Sequence, residues 1–267
     1  MKAVLEYPGS KHRLAKWICG HMPPHDVYVE PYAGSLAVFF EKKQSKVETL
    51  NDIDSDIVNY FRVIRDKSDE LARMMDMTLF AREEYVAAYG DDPGDTDVGR
   101  ALKFAVKCWQ GIGNSNRYKN GWRMSRQAHD HKAGCMKWVD LPDRIAAATV
   151  RLKETQIENM PAVEVIRRYD HEKAFMYIDP PYLPDMRKNY LYRHEMTAAD
   201  HMELLETIKD CKAKIIISGY DNDLYNAVLA GWHKAAKVAQ VECGIKKIET
   251  IWMNYAHENQ MFIFACG

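Results

Sequence analysis

No apolar run in the chain approaches the ~18–20 residues that a helix needs to cross a bilayer, so no membrane segment is expected. The first residues, Met1 to Tyr7, hold too short an apolar stretch for a secretory signal. The six cysteines, Cys19, Cys108, Cys135, Cys211, Cys243 and Cys266, form no Cys-x-x-Cys pair, which argues against a disulfide scaffold and for reduced thiols in a cytoplasmic protein. His129, His131 and Cys135 match no common zinc-finger spacing and have no evident fourth ligand, so no metal is expected. Two nucleotide signatures are missing as well. The turn around Gly34 holds one glycine where Gly-x-Gly-x-x-Gly needs three, which argues against a nicotinamide dinucleotide. Tyr7-Pro8-Gly9-Ser10-Lys11 is no P-loop, because Val4 stands where the first glycine belongs and His12 supplies no hydroxyl for magnesium.

What is present suits a folded enzyme. With 267 residues, 47% of them hydrophobic and 28% charged, the chain can bury a core as one α/β domain, with or without a smaller insertion. The net charge of −1 conceals an uneven distribution. Between Arg100 and Trp138 lie nine lysines and arginines against the single acid Asp130. Such a segment is either a solvated face balanced by acids elsewhere or, as its one-sidedness favours, a surface for phosphates.

Short β-branched or aromatic runs at 26–30, 46–50, 155–158, 175–178 and 214–218 alternate with helical stretches, among them one from about Ser35 and one at 53–64. Thr197, with Asp200 three positions on, is expected to cap a further helix. Strands alternating with helices predict an α/β fold, a doubly wound, mostly parallel sheet. The runs 235–242 and 249–254 have no helix between them, so an antiparallel edge hairpin is expected there; 260–265 is left unplaced. Residues 66–152 break the rhythm, with helical stretches at 78–89 and 99–109, a glycine- and asparagine-rich loop from Gly111, and a turn signal at Asn120-Gly121. The division expected is therefore a catalytic domain of 1–65 and 153–267 carrying a helical insertion, 66–152, with a basic hairpin or loop.

Asp179-Pro180-Pro181-Tyr182 directly follows the strand 175–178, and open α/β sheets bind ligands beyond the carboxyl ends of their strands. Two prolines remove two N–H donors, and an ionised Asp only accepts, so the turn suits an amino group that donates hydrogens. Tyr182 offers a face on which a base can stack; the plainer reading is a Pro-Pro turn with Tyr182 as core. Glu30-Pro31-Tyr32-Ala33-Gly34-Ser35 leads from the first strand into a helix, where a small residue lets backbone approach a ligand. Asp52, 18 positions after Gly34, ends the next strand, where an acid can accept from ribose hydroxyls or else cap the helix at 53–64.

In this order the pieces resemble the adenine-specific DNA methyltransferases of the DNA adenine methylase type. Tyr7-Pro8-Gly9-Ser10-Lys11 matches the family's aromatic-x-Gly-x-Lys element, Glu30-Pro31-Tyr32-Ala33-Gly34 its acid-Pro-aromatic-x-Gly turn, and Asp52 its acid after the second strand. Glu158-Asn159-Met160 stands where relatives have an acidic-aromatic element, and Asp179-Pro180-Pro181-Tyr182 matches the family's catalytic loop.

The resemblance implies the fold of S-adenosylmethionine-dependent methyltransferases and that cofactor, held by Tyr7, Lys11, Glu30, Pro31, Gly34, Ser35, Asp52, Asn159 and Asp179. It implies methylation of the N6 amine of an adenine flipped out of double-stranded DNA. Asp179 and the Pro180 carbonyl would accept the amine hydrogens, Pro181 would stiffen the turn and Tyr182 would stack on the base. The insertion becomes a target-recognition element with Arg117, Tyr118, Lys119, Arg123 and Arg126 as DNA contacts. A monomer or weak dimer is expected, and the resemblance suits an orphan enzyme as well as one half of a restriction–modification pair.

Overall fold

The structure, a computed structural model, describes residues 1–90, 95–113, 118–125, 134–186, 191–240 and 246–256. In chain order the elements are α1 (Ala15–Cys19), β1 (Val27–Glu30), α2 (Ala37–Glu41), β2 (Val47–Asn51), α3 (Ser55–Asp66), α4 (Ser68–Met77), α5 (Arg82–Ala87), α6 (Asp97–Gln110), α7 (Cys135–Val139) and α8 (Leu141–Leu152). They continue with β3 (Thr155–Glu158), α9 (Ala162–Arg168), β4 (Ala174–Ile178), α10 (Ala198–Lys209), β5 (Lys214–Tyr220), α11 (Asp223–Val228), β6 (His233–Gln240) and β7 (Lys246–Met253).

Seven strands form one sheet in the order β3-β2-β1-β4-β5-β7-β6. The first five are parallel, while β7 runs antiparallel to both β5 and β6, so the expected doubly wound sheet with an edge hairpin is observed. Strand order reverses between β1 and β4, and at such a switch point the crossovers diverge and leave a crevice beyond the strand ends.

The central strands are buried on both faces, which is why their sequences read as unbroken apolar runs. Side chains of β4 alternate between two cores: Phe175 and Tyr177 join the helices α1 to α8, whereas Ala174, Met176 and Ile178 join α9, α10 and α11. Within the first core α4, α6 and α8 pack on or beside α3, so the helices of segment 66–152 share one apolar interior with the sheet. The N-terminal segment is anchored there too: Val4 and Leu5 are fully buried, and the Tyr60 hydroxyl of α3 donates to the Val4 carbonyl at 2.7 Å.

Local chemistry sets the helix starts. Asp54 caps α3 by accepting from the Asp56 N–H, and Thr96 caps α6 by accepting from that of Gly99. Thr197 and Asp200 cap each other's backbone at α10, as the sequence predicts. The helix anticipated from Ser35 begins at Ala37, because Leu36 takes a left-handed φ of 56° in the turn. Only Arg82–Ala87 of the stretch 78–89 is helical; Thr78 ends α4, its hydroxyl donating to the Met74 carbonyl. Among the described residues Asn120-Gly121 forms no turn of its own; it leads into a single antiparallel bridge of Trp122 with Gly111. His129, His131, Cys243, Cys266 and the stretch 260–265 lie outside the described residues.

Candidate active site

The ends of β1, β2 and β3 are stitched together by one side chain. Asn51, fully enclosed, donates to the carbonyls of Pro31 and Met160 and accepts from the Met160 N–H. Asp52 beside it accepts from the Gly34 N–H and the Asp54 N–H, both at 2.9 Å. Asp52 is therefore not the cap of α3, a role Asp54 takes; it ties the turn after β1 to the end of β2. Gly34 sits at φ 47°, which a side chain strains to adopt.

From the other direction comes the strip Tyr7–Lys11. The Ser10 hydroxyl pairs with that of Ser35 at 2.8 Å, joining the strip to the turn after β1. Gly9 has φ 69°, and a Cβ there would lie 2.3 Å from the Tyr192 hydroxyl oxygen, so the close approach of that ring depends on glycine. Buried Lys11 reaches across the switch point to Asp179, its ammonium 2.8 Å from Oδ1 and 2.9 Å from Oδ2, and also donates to the Gly9 carbonyl. Burial disfavours that ammonium, but the nearby carboxylates of Asp179 and Glu249 outweigh it and hold the lysine above its ordinary pKa. The Ser218 hydroxyl of β5 donates to Asp179 Oδ1 at 2.8 Å. Lys11 and Ser218 together leave acceptor capacity mainly on Oδ2.

Tyr182 swings to the opposite side of the loop. Its hydroxyl donates to Glu249 Oε1 at 2.5 Å, its ring lies 4.5 Å from that of Tyr220, and the Lys11 ammonium stands 4.9 Å above it.

Two cavities flank this arrangement. The first, roughly 640 Å³, is walled by Glu30, Pro31, Gly34, Ser35, Asp52, Asp179 and Pro181, and on its far side by Pro161–Glu164 and Tyr192–Met196. The second, roughly 620 Å³, is walled by Tyr182, Tyr220, Glu249, Arg13, Trp109 and Arg144. Both share Tyr7, Gly9, Ser10 and Lys11, so that strip is their common partition. Volumes of this size suit a small-molecule ligand.

The first cavity is strongly acidic. Burial raises Asp52 to about 7 against the opposing N–H donors of Asp54 and Gly34, and raises Glu30 to about 8, with the Tyr28 hydroxyl opposing. A cationic ligand bearing hydroxyls fits these walls: it offsets the crowded carboxylates and gives the partly engaged Asp52 further donors.

Of the residues singled out from sequence, Tyr7, Lys11, Glu30, Pro31, Gly34, Ser35, Asp52 and Asp179 come together around the first cavity. Asn159 does not: it is exposed, outside the cavity wall, and its amide donates to the Asp52 and Ile53 carbonyls. Arg123 turns inward, its guanidinium donating to the Gly111 carbonyl and meeting Glu6 at 3.1 Å. Lys119 lies over the Tyr89 ring at 5.7 Å, and Tyr118 is exposed. Arg117 and Arg126 fall outside the described residues. Sequence reasoning passed over Ser218, Tyr192 and Glu249. Only Glu249 left a trace, as an acid in the row of β7 that otherwise points Ile251 and Met253 into the core.

Among the described residues no helix is long and apolar enough to cross a membrane, and no cluster of three or more His, Cys, Asp or Glu is arranged to hold a metal ion. Comparison with known proteins gives the family. A DNA adenine methylase of Serratia marcescens is 33% identical over 82 residues, a match covering 31% of this chain and 30% of that protein. One of Salmonella typhi is 22% identical over 254 residues, covering 90% of this chain and 87% of its own length. The type II methyltransferase M.MjaIII of Methanocaldococcus jannaschii is 23% identical, covering 96% of this chain and 99% of that one. The sequence profile of one family matches residues 7–242, from the Lys11 strip through to the edge hairpin, and the chain belongs to that family, the D12 class N6 adenine-specific DNA methyltransferases.

Proposed function

We propose that this chain transfers a methyl group from S-adenosylmethionine to the N6 amine of an adenine flipped out of double-stranded DNA. The observation that carries the reading is the partition: two cavities of similar size meet along Tyr7–Lys11, with Asp179 facing one and Tyr182 the other. A reaction between a small cofactor and a base needs two such chambers with the acceptor group at their junction. S-adenosylmethionine supplies the methyl as a sulfonium cation, a charge that the acidic first cavity favours. Asp52 would accept from the ribose hydroxyls, and the turn Pro31–Ser35 would lie against the cofactor at the end of β1.

In the second cavity Tyr182 would support the base by stacking, a contact worth ~1–3 kcal/mol. The adenine amine is a poor nucleophile because its lone pair is delocalised into the ring. Asp179 Oδ2 accepting one hydrogen, and the Pro180 carbonyl the other, would draw the nitrogen toward a geometry with an available lone pair. Lys11 and Ser218 keep the Asp179 carboxylate oriented for this. A methylated ammonium is acidic, so Asp179 need not be a strong base.

Segment 66–152 would carry target recognition, with Arg117, Tyr118, Lys119 and Arg126 on the DNA side and Arg123 bracing the segment through Glu6. Asn159 would serve the cofactor only indirectly, by bracing the backbone of Asp52 and Ile53. The decisive experiment follows tritiated methyl into DNA and identifies the methylated nucleoside. N6-methyladenine should form with the wild-type chain and not with Asp179→Ala; methylcytosine, or near-normal turnover by a folded Asp179→Ala, overturns the proposal.

A further inference from the structure

Glu249 lies on the edge hairpin, well away in sequence from every motif that marks the site, yet its side chain ends inside it. It is 4% exposed, in the row of β7 that turns Ile251 and Met253 into the apolar core. A carboxylate in such a row costs desolvation free energy unless its oxygens are engaged. Burial and the neighbouring Asp179 accordingly push its pKa up, with Lys11 and Tyr182 opposing. Oε1 accepts from the Tyr182 hydroxyl at 2.5 Å and stands 3.7 Å from the Lys11 ammonium. Directly across the ladder from Glu249 is Tyr220, whose ring leans on that of Tyr182. The carboxylate thus grips the far end of the Tyr182 ring, which lines the second cavity, and gives Lys11 a second counter-charge beside Asp179.

We propose that Glu249 is a positioning residue for the target base: through the Tyr182 hydroxyl it sets the tilt of the ring on which the base stacks. The inference rests on the reading of the second cavity as the base chamber. A free tyrosine in a loop samples several ring orientations, and stacking must then order it; a fixed ring avoids that cost. At 3.7 Å from the Lys11 ammonium, Glu249 also adds a second counter-charge at the junction of the two cavities.

The test compares wild type, Glu249→Gln, Glu249→Ala, Tyr182→Phe and the double variant Glu249→Ala/Tyr182→Phe. It measures single-turnover methylation of unmethylated DNA, S-adenosylmethionine binding without DNA, and the ¹⁹F resonance of 3-fluorotyrosine placed at position 182. Glu249→Ala should slow methylation at least tenfold while cofactor affinity changes less than twofold. Glu249→Gln, which still accepts the phenol hydrogen, should recover a substantial part. Losses from Glu249→Ala and Tyr182→Phe should fail to multiply in the double variant, and the ¹⁹F resonance should move in Glu249→Ala. Methylation within twofold of wild type, independent multiplying losses, an unmoved resonance, or an equal fall in cofactor binding would each overturn the proposal. If Glu249→Ala does not fold, the isosteric Glu249→Gln and Tyr182→Phe carry the comparison: an unmoved resonance in Glu249→Gln, together with unchanged rates in both, overturns it. A wild-type chain that methylates no DNA defeats the underlying reading, and the ¹⁹F measurement then decides the Glu249 contact by itself.

Discussion

Around the first cavity, polar groups are tied to partners from distant parts of the chain: Asn51 to Pro31 and Met160, Asp52 to Gly34, Lys11 to Asp179. Around α5, α6 and the loop after it the basic residues are held mostly by aromatic rings and single ion pairs. Lys107 and Lys119 share the ring of Tyr89, Arg82 stacks over Trp122, and Arg123 is claimed by Glu6. The contrast suits the roles proposed for the two regions. A site for chemistry must be rigid to fractions of an ångström, so its groups are locked by backbone donors and acceptors from several strand ends. A surface for a charged polymer needs positive potential more than fixed geometry, and exposed cations supply that at little structural cost.

Removing Lys11 should give the largest effect and break the rigid side outright. Lys11→Met strands Asp179 and Glu249 in a buried site, and breaking such a pair typically costs ~3–5 kcal/mol. Urea denaturation should register that loss, and methyl transfer should fall at least a hundredfold, by about two factors of ten or more. A variant as stable as wild type would mean that the lysine is a bystander.

Gly9→Ala comes next. Its φ of 69° costs a side chain ~1–2 kcal/mol, and the added methyl meets the Tyr192 hydroxyl at 2.3 Å. Because Tyr192 lines the first cavity, cofactor affinity should fall about tenfold, which calorimetric titration would read. An unchanged affinity would show that Tyr192 adapts.

The rigid side should also leave a mark in the pH dependence of stability. Asp52, at about 7, and Glu30, at about 8, sit above their unfolded values, so the folded chain binds more protons than the unfolded one. The stability each contributes is fully present below about pH 4 and is lost as pH rises through 7 to 8. Half-buried His12 and His25, lowered by desolvation, act in the opposite sense near pH 6.5, so the comparison must be between variants. Asp52→Asn should remove a decline of at most one proton, or ~1.4 kcal/mol per pH unit, between pH 5 and 7. Parallel wild-type and Asp52→Asn profiles from denaturation at several pH values would contradict the burial argument.

The side proposed to face DNA should respond least. Lys119→Gln should lower the slope of log affinity against log salt by ~0.9 if the lysine meets a phosphate, with stability unchanged. Arg123→Gln should do the reverse: a stability loss under about 1 kcal/mol from the part-exposed pair with Glu6, and little change in slope. A large slope change at Arg123 would show that DNA binding releases the arginine from Glu6 and would erase the contrast between the two regions.

Much of this was legible in the chain. The central strands β4 and β5 were recognisable because strands buried on both faces become unbroken apolar runs such as Ile215, Ile216 and Ile217. Asp179-Pro180-Pro181-Tyr182 announced itself by position and composition, since a stiff donor-free turn after a buried strand has few structural uses. Asn159 was misplaced for a physical reason. An amide at a strand end serves backbone carbonyls as well as a ligand, and only the spacing of β2 and β3 shows that it meets those of Asp52 and Ile53. Arg123 was likewise read as a free cation because its acid, Glu6, lies 117 residues away.

The sequence by itself determined the order of the elements, the motif at each strand end and the class of chemistry they suit. These are local properties, carried by side-chain periodicity and by the conformational limits of Pro and Gly. Tertiary structure alone decided which charges face one another. It set Lys11 near both Asp179 and Glu249, put Asp179 on the wall of one cavity and Tyr182 on that of the other, and divided one crevice into two chambers. Electrostatic and hydrogen-bonding partners are selected by distances of a few ångströms, and those arise only when the switch point between β1 and β4 and the antiparallel return of β7 bring remote segments together.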